Sequence, residues 1–188
     1  MLGDGLCRFG SVQEMSYAFQ VDQQLKQQLR EQYDREAAIE GLQNATQITE
    51  LDLLNELVDC GLRADSLHVL VLFPMVHVAW ANGYVERQER EEILQAAAAE
   101  GLNADSDAYA LLTEWLTTRP DSGLLTTWKD YISAVRRVLD KPAFDALRES
   151  TVARATAVAA SAGGCLGIGA VSRAEQAAID ELKAAFLV

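Results

Sequence analysis

The residues best placed to do chemistry in this sequence are oxygen-bearing side chains at one acidic turn. Asn82, Glu86 and Glu89 follow one another closely there, in a run rich in glutamate and arginine. Calcium prefers oxygen ligands of this kind in proteins, so the spacing predicts a candidate site for a low-affinity divalent cation. The same carboxylates also suit the positively polarised start of a helix, and this structural role is the simpler interpretation.

The acidic turn has a second copy near the end of the sequence, because residues 81–93 align with residues 167–179 without a gap. In each copy a glycine ends the incoming helix, a valine packs against the core, and a glutamate and an isoleucine follow in the outgoing helix. The aligned pairs are Gly83 with Gly169, Val85 with Val171, Glu89 with Glu175 and Ile93 with Ile179. Ser172 and Glu175 have the pattern of a capping box, which Glu86 and Glu89 approximate. The repeat therefore predicts two helix–turn–helix units built alike.

The remaining candidates for chemistry are better explained by packing. His68 and His77 are not spaced as a metal-binding pair, and His77 is expected to be a core histidine bonded to the backbone. The glycine-rich run 163–169 lacks the order and the lysine of a phosphate loop, so it predicts close helix packing. Three scattered cysteines predict neither a disulfide framework nor a zinc site. We therefore expect a protein that is not an enzyme, with no catalytic residue and no cofactor other than a divalent cation such as calcium.

Charge and hydropathy narrow the classes of partner. The chain carries 28 acidic against 16 basic side chains, a formal net charge of −12, whereas a nucleic-acid backbone needs a basic surface. Nucleic acid is therefore not an expected partner, and a basic protein or a cation suits the acidic surface better. No apolar run reaches the length of a membrane span, and the use of cysteine fits a reducing compartment. The sequence predicts a cytoplasmic protein that does not insert into the membrane.

Composition and spacing predict the elements that must position these residues. Hydrophobic residues make up 49% of the chain, only three prolines are present, and no segment shows sustained strand alternation. The prediction is an all-α fold, a compact bundle of about seven to eight helices that contains the duplicated helix–turn–helix unit. We expect a flexible tail over 1–10, an amphipathic helix over 11–45 with Gly41 as its cap, and a helical domain over 46–188.

The predicted N-terminal helix has an apolar face of its own. The apolar residues that recur there at helical spacing are Met15, Phe19, Leu25, Leu29, Tyr33 and Ile39. The long polar face predicts that this helix either lies across the core or projects from it. Coiled-coil pairing stays open, although the heptads are imperfect. Farther along, a buried helix is predicted over 67–81 with a kink at Pro74.

A family resemblance arises from both copies of the turn. The run Val76-x-Val78-Ala79-Trp80-Ala81-Asn82-Gly83-Tyr84-Val85-x-x-x-Glu89 resembles the A-x-A-D-G-x-[IV]-x-x-x-E signature of TerB-like domains, which are named for tellurite resistance. The run Gly163-Gly164-Cys165-Leu166-Gly167-Ile168-Gly169-x-Val171-Ser172-x-x-Glu175 is similar to a second copy of that signature, and the resemblance covers residues 50–188. The aspartate of the signature is Asn82 here and Ile168 in the second copy, and an amide lacks the charge that a hard cation attracts.

The resemblance implies a helical bundle with internal pseudo-symmetry, a non-enzymatic role in stress response, cation binding at an acidic site and membrane-associated assemblies. Three functions stay open. The chain is a scaffold domain that binds a protein partner or other copies of itself, a divalent-cation sensor that uses Asn82, Glu86 and Glu89, or a peripheral membrane protein that docks through its N-terminal helix. The glutamine-rich, acidic face of that helix argues against the third, because anionic lipid attracts lysine and arginine.

Overall fold

The part of the chain that the structure describes is built from α-helices and two short 3₁₀ turns, with no strand. This computed structural model describes residues 6–162 and 171–187, and the side chains of the first helix at position 17 and from position 19 onward. The helices are α1 (Leu6–Thr46), α2 (Leu51–Asp59), α3 (Phe73–Ala79), α4 (Arg87–Ala99), α5 (Asp107–Thr117), α6 (Ser122–Val138), α7 (Lys141–Ser161) and α8 (Arg173–Ala185). The predicted all-α class and number of helices are confirmed.

Helix α3 lies at the centre of the core although it is only seven residues long. A helix this short is not stable in water by itself, so burial must hold it in place. It packs against α7, α8 and α4, and nearly all of its residues are buried, including Phe73, Met75 and Val76. Phe73 also meets the rings of Trp115 and Trp128, at centroid distances of 6.0 Å and 6.3 Å. Each such buried side chain contributes roughly 1.5–3 kcal/mol of hydrophobic stabilisation.

The single kinked helix predicted over 67–81 is wrong, because the structure divides this segment into three pieces. A 3₁₀ turn covers Leu67–Val71, α3 follows, and a second 3₁₀ turn covers Trp80–Asn82. Pro74 lies in the first turn of α3, where a missing backbone N–H leaves no hydrogen bond unmade. The proline therefore starts a new helix rather than bending a long one.

Helix α1 is longer at both ends than the helix predicted over 11–45, and its expected cap is wrong. It begins at Leu6, inside the segment predicted as a tail over 1–10, and passes through Gly41 to Thr46. A Cβ atom at Gly41 would meet the Ala64 Cβ at 3.5 Å, so this glycine lies where the helix packs closely on the chain beyond α2. The helix ends instead at Thr46, because Gln47, the next residue, has a left-handed φ of 61°.

Only the C-terminal part of α1 is attached to the rest of the fold, which we call the body (residues 46–162 and 171–187). In this part of α1, Ala38 and Leu42 are buried, and the Arg35 guanidinium donates to two residues of α2, to Asn55 Oδ1 at 2.7 Å and to Asp59 Oδ1 at 2.5 Å. Residues 22–34 are all exposed. Of the two placements that the sequence left open, α1 therefore projects from the body. None of the helices in the described ranges is both long and apolar enough to cross a membrane.

Candidate functional site

The first copy of the turn begins at Gly83, directly after the 3₁₀ turn Trp80–Asn82 that follows α3. Gly83 has a φ of 90°, a left-handed conformation that favours glycine, and it turns the chain toward α4. Glu86 is the N-cap residue of α4, and its backbone N–H donates to Glu89 Oε2 at 2.7 Å. The side chain of Glu86 accepts in return from the backbone of Glu89, so the predicted capping box is present.

The second copy of the turn has the same capping arrangement at the start of α8. The Ser172 backbone N–H donates to Glu175 Oε2 at 2.6 Å, and the Glu175 backbone N–H donates to Ser172 Oγ at 3.2 Å. Val171 packs partly buried against the core, as Val85 does in the first copy. Ile179 is buried like Ile93. The second turn thus repeats the capping and packing of the first, while Gly169 and the glycine-rich run 163–169 lie outside the described residues.

The side chain of Asn82 joins the two turns, and the sequence did not predict this contact. Its Nδ2 donates to Glu175 Oε1 at 2.8 Å, and its Oδ1 accepts from Ser172 Oγ at 3.1 Å. Because the 3₁₀ turn that carries Asn82 packs against α8, the amide serves the second capping box rather than joining Glu86 and Glu89. Asn82 therefore links positions 93 and 90 residues away in the sequence.

Glu89 is the most unusual residue of this site. It is 1% exposed, and its Oε1 atom is buried without a hydrogen-bond partner among the described residues. The pKa of Glu89 is raised to about 7, chiefly by burial; the nearby charges of Glu175 and Glu86 act in the same direction, and the backbone hydrogen bond from Glu86 opposes them. Near neutral pH this carboxyl group therefore exists in both protonation states.

The two buried glutamates differ because their partners differ. Glu175 is 4% exposed, and the Asn82 amide satisfies its Oε1 atom. The position aligned with Asn82 in the second copy is Ile168, which lies outside the described residues and whose side chain has no hydrogen-bond donor. The aligned sequences thus contain one amide for two buried carboxylates. Sequence reasoning placed Glu175 in the second turn as a capping residue and did not predict its bond to Asn82.

The predicted cation ligands come together only in part. Glu86 and Glu89 share one capping box, whereas the side chain of Asn82 is bonded to Ser172 and Glu175. Within the described ranges, no group of three or more His, Cys, Asp and Glu side chains is placed to hold a metal ion. The cation site at Asn82, Glu86 and Glu89 stays a prediction.

His77 faces a carboxylate on α8. Its Nε2 lies 3.5 Å from Glu181 Oε2, and Lys129 Nζ donates to the other oxygen of Glu181 at 2.7 Å. Burial lowers the pKa of His77, although the charge of Glu181 opposes this effect. The histidine expected to bond to the backbone thus lies beside an ion pair, and the neutral form is favoured.

A surface cleft of about 460 Å³ lies between α2, α5 and the start of α6. Trp115 and Leu124 contribute apolar surface to it, and Glu56 and Glu114 contribute acidic groups. Cys60 also lines the cleft, and burial raises the pKa of its thiol, which lies 3.9 Å from Thr127 Oγ1. A thiol with a raised pKa is a weak nucleophile, so a structural role is the simpler interpretation.

Comparison with known proteins identifies no relative, because no family model, no curated protein and no solved structure matches this chain.

Proposed function

We propose that this chain is a non-catalytic scaffold domain of TerB-like type, which acts through protein interactions in the cytoplasm. The observation that carries the proposal is the projecting part of α1. Its large apolar side chains are exposed to water: Tyr17 by 70%, Phe19 by 64%, Leu25 by 53%, Leu29 by 50% and Tyr33 by 68%. Contiguous apolar surface of this kind is rare unless another molecule covers it.

The two capping-box turns support the TerB-like part of the proposal. Both turns bury the third residue of the outgoing helix, Glu89 and Glu175, and both place a valine against the core. This likeness suits the internal pseudo-symmetry that the resemblance implies. In this proposal the two carboxylates first serve the helix starts, and the turns are architectural.

Affinity capture with α1 variants tests the scaffold function. We expect the wild-type chain to retain a protein partner that the Leu25→Glu/Leu29→Glu variant loses, because both residues are exposed and the changes leave the body intact. Leu51→Glu is a matched control, since Leu51 is 61% exposed but lies outside α1. Equal retention by all three proteins would contradict the proposal, as would enzymatic turnover that a single substitution abolishes.

A divalent-cation sensor is the second candidate function, and the buried Oε1 atom of Glu89 favours it. A cation placed at this oxygen would supply the partner that Glu89 lacks among the described residues and would offset the repulsion between Glu89 and Glu175. Titration calorimetry with calcium, magnesium and zinc should then show heat that Glu86→Ala reduces and that Glu89→Gln abolishes. The exposed Glu91→Gln on the same helix is the control. Absent heat, or equal heat in all variants, would eliminate the sensor.

A further inference from the structure

The exposed apolar residues of α1 form a stripe that also contains one acid and one base. We define the stripe as Phe19, Asp22, Leu25, Lys26, Leu29 and Tyr33, which helical geometry places within about a third of the circumference. Lys26 Nζ donates to Asp22 Oδ2 at 2.7 Å, and both side chains are more than half exposed. The stripe is therefore apolar at both ends and oppositely charged near its middle.

We propose that two copies of this chain pair through the stripe, with their α1 helices side by side and antiparallel. The pairing names the partner for the scaffold function proposed above, and it rests on that function. Asp22 of each copy lies opposite Lys26 of the other, and Phe19 of each copy packs on Leu29 of the other.

The positions of the residues along α1 favour this register. In a two-fold antiparallel pair, residues at equal distances on either side of the centre lie opposite each other. The pair Asp22 and Lys26 and the pair Phe19 and Leu29 are both centred on Gln24. One register therefore brings the pair Asp22 and Lys26 and the pair Phe19 and Leu29 together, and the symmetry makes each contact twice.

The charge of the body favours the antiparallel direction. Residues 17–37 hold four acidic and three basic side chains, so nearly all of the net charge of −12 belongs to the rest of the chain. Parallel helices would bring two acidic bodies together and set Asp22 against Asp22 and Lys26 against Lys26. Antiparallel helices hold the bodies about 40 Å apart along the helix axis, well beyond the Debye length of about 8 Å.

The small charge of the stripe and its surroundings also favours a second copy over other occupants. A basic protein would bind best to the acidic body, and anionic lipid would require an excess of lysine and arginine that residues 17–37 lack. A lone helix projecting about 44 Å into water is only marginally stable, and pairing along its apolar face stabilises it. A second copy provides a face that matches in both length and charge.

Light scattering after size-exclusion chromatography tests the pairing. We expect the wild-type chain to show twice the mass of one copy and the Leu25→Glu/Leu29→Glu variant to show the mass of one copy. The Leu51→Glu control should keep the doubled mass. Circular dichroism should show that the body of each variant remains helical, because all three leucines are exposed.

Charge exchange tests the register. Asp22→Lys and Lys26→Asp should each weaken pairing about tenfold, because like charges then lie opposite each other. An equimolar mixture of the two variants should pair as well as wild type. Within each variant chain positions 22 and 26 still carry like charges, so recovery on mixing must come from contacts between chains. Small-angle scattering should show two bodies at opposite ends of the paired helices.

The outcomes separate this inference from the function on which it rests. A chain of single mass at all concentrations overturns the pairing, and so does a mixture that shows no recovery. If that single copy still retains another protein through the stripe, the scaffold function stands without the pairing. Flotation with anionic vesicles that Leu25→Glu/Leu29→Glu abolishes would make a membrane the occupant and would overturn both proposals.

Discussion

At the scale of residues, the molecule is unusual in burying two carboxyl groups near each other. A buried carboxylate is costly unless hydrogen bonds satisfy it, and Glu175 receives such bonds from Asn82 and from its own capping box. Glu89 receives only the bond from its capping box among the described residues, so one of its oxygens is left without a donor. This difference makes Glu89 the group whose protonation should affect stability most.

We expect Glu89 to lower the stability of the protein as pH rises toward neutrality, against the opposite contribution of His77, whose pKa is lowered by burial. The pKa of Glu89 is about 7 in the folded chain against its ordinary 4.5, so the folded state holds its proton over a range where the unfolded state has lost it. The resulting stabilisation is complete below pH 4.5 and is lost as pH rises through 7, a change of about 3 kcal/mol. Chemical denaturation at a series of pH values measures it.

The substitution Glu89→Gln isolates this contribution. The amide keeps the acceptor for the Glu86 backbone and cannot ionise, so we expect a flatter profile between pH 4.5 and 7 and a more stable protein at pH 8. Glu91→Gln is the control, because Glu91 is an exposed residue of the same helix that pairs with Arg87. Parallel profiles for wild type and Glu89→Gln would show that Glu89 does not cause the pH dependence.

Asn82 should matter for stability although its side chain lies at the surface. Asn82→Ala removes the donor to Glu175 Oε1 and the acceptor for Ser172, which leaves a buried carboxylate oxygen unsatisfied. We expect a loss of about 1–3 kcal/mol in the free energy of unfolding, measured in urea. The exposed Asn44→Ala near the end of α1 should change it little. A loss no larger than in that control would show that the link between the turns contributes nothing.

At the scale of elements, two glycines in different settings should respond in opposite ways to alanine. Gly83 has a left-handed φ of 90°, so Gly83→Ala should destabilise the fold by about 1–2 kcal/mol even though the space around it is open. Gly41 lies inside α1 with ordinary room for a Cβ, so Gly41→Ala should stabilise the protein by about 0.5–1 kcal/mol. Thermal unfolding of both variants measures the difference, and equal shifts would contradict the assignment.

Boundaries of elements were predictable where their causes are local. Ser106 caps α5 by accepting a hydrogen bond from the Tyr109 backbone N–H, and Pro142 lies in the first turn of α7, positions that serine and proline favour. The inward face of α2 was only partly predictable. Leu51 is apolar but 61% exposed, while Leu53 is buried, because the neighbours of α2 decide which side of it is covered.

At the scale of the whole molecule, the body and the projecting helix should behave as nearly independent parts. Residues 22–34 are exposed, whereas Arg35, Ala38 and Leu42 make the contacts that attach α1. A chain that lacks residues 1–30 should therefore keep the unfolding free energy of the body to within about 0.5 kcal/mol. Urea denaturation followed by tryptophan fluorescence reports on the body alone, because all three tryptophans lie there. A larger loss would mean that the projecting segment contributes to the core.

The helical class and the capping boxes of both turns follow from residue type and spacing alone. Gly83, the capping box of Glu86 and Glu89, and that of Ser172 and Glu175 depend on interactions within a few residues. The bond from Asn82 to Glu175, the helical conformation of Gly41 and the projection of α1 from the body depend instead on long-range packing. Those outcomes depend on which surfaces meet across distances of up to 93 residues, and such contacts leave no periodic mark in a single sequence.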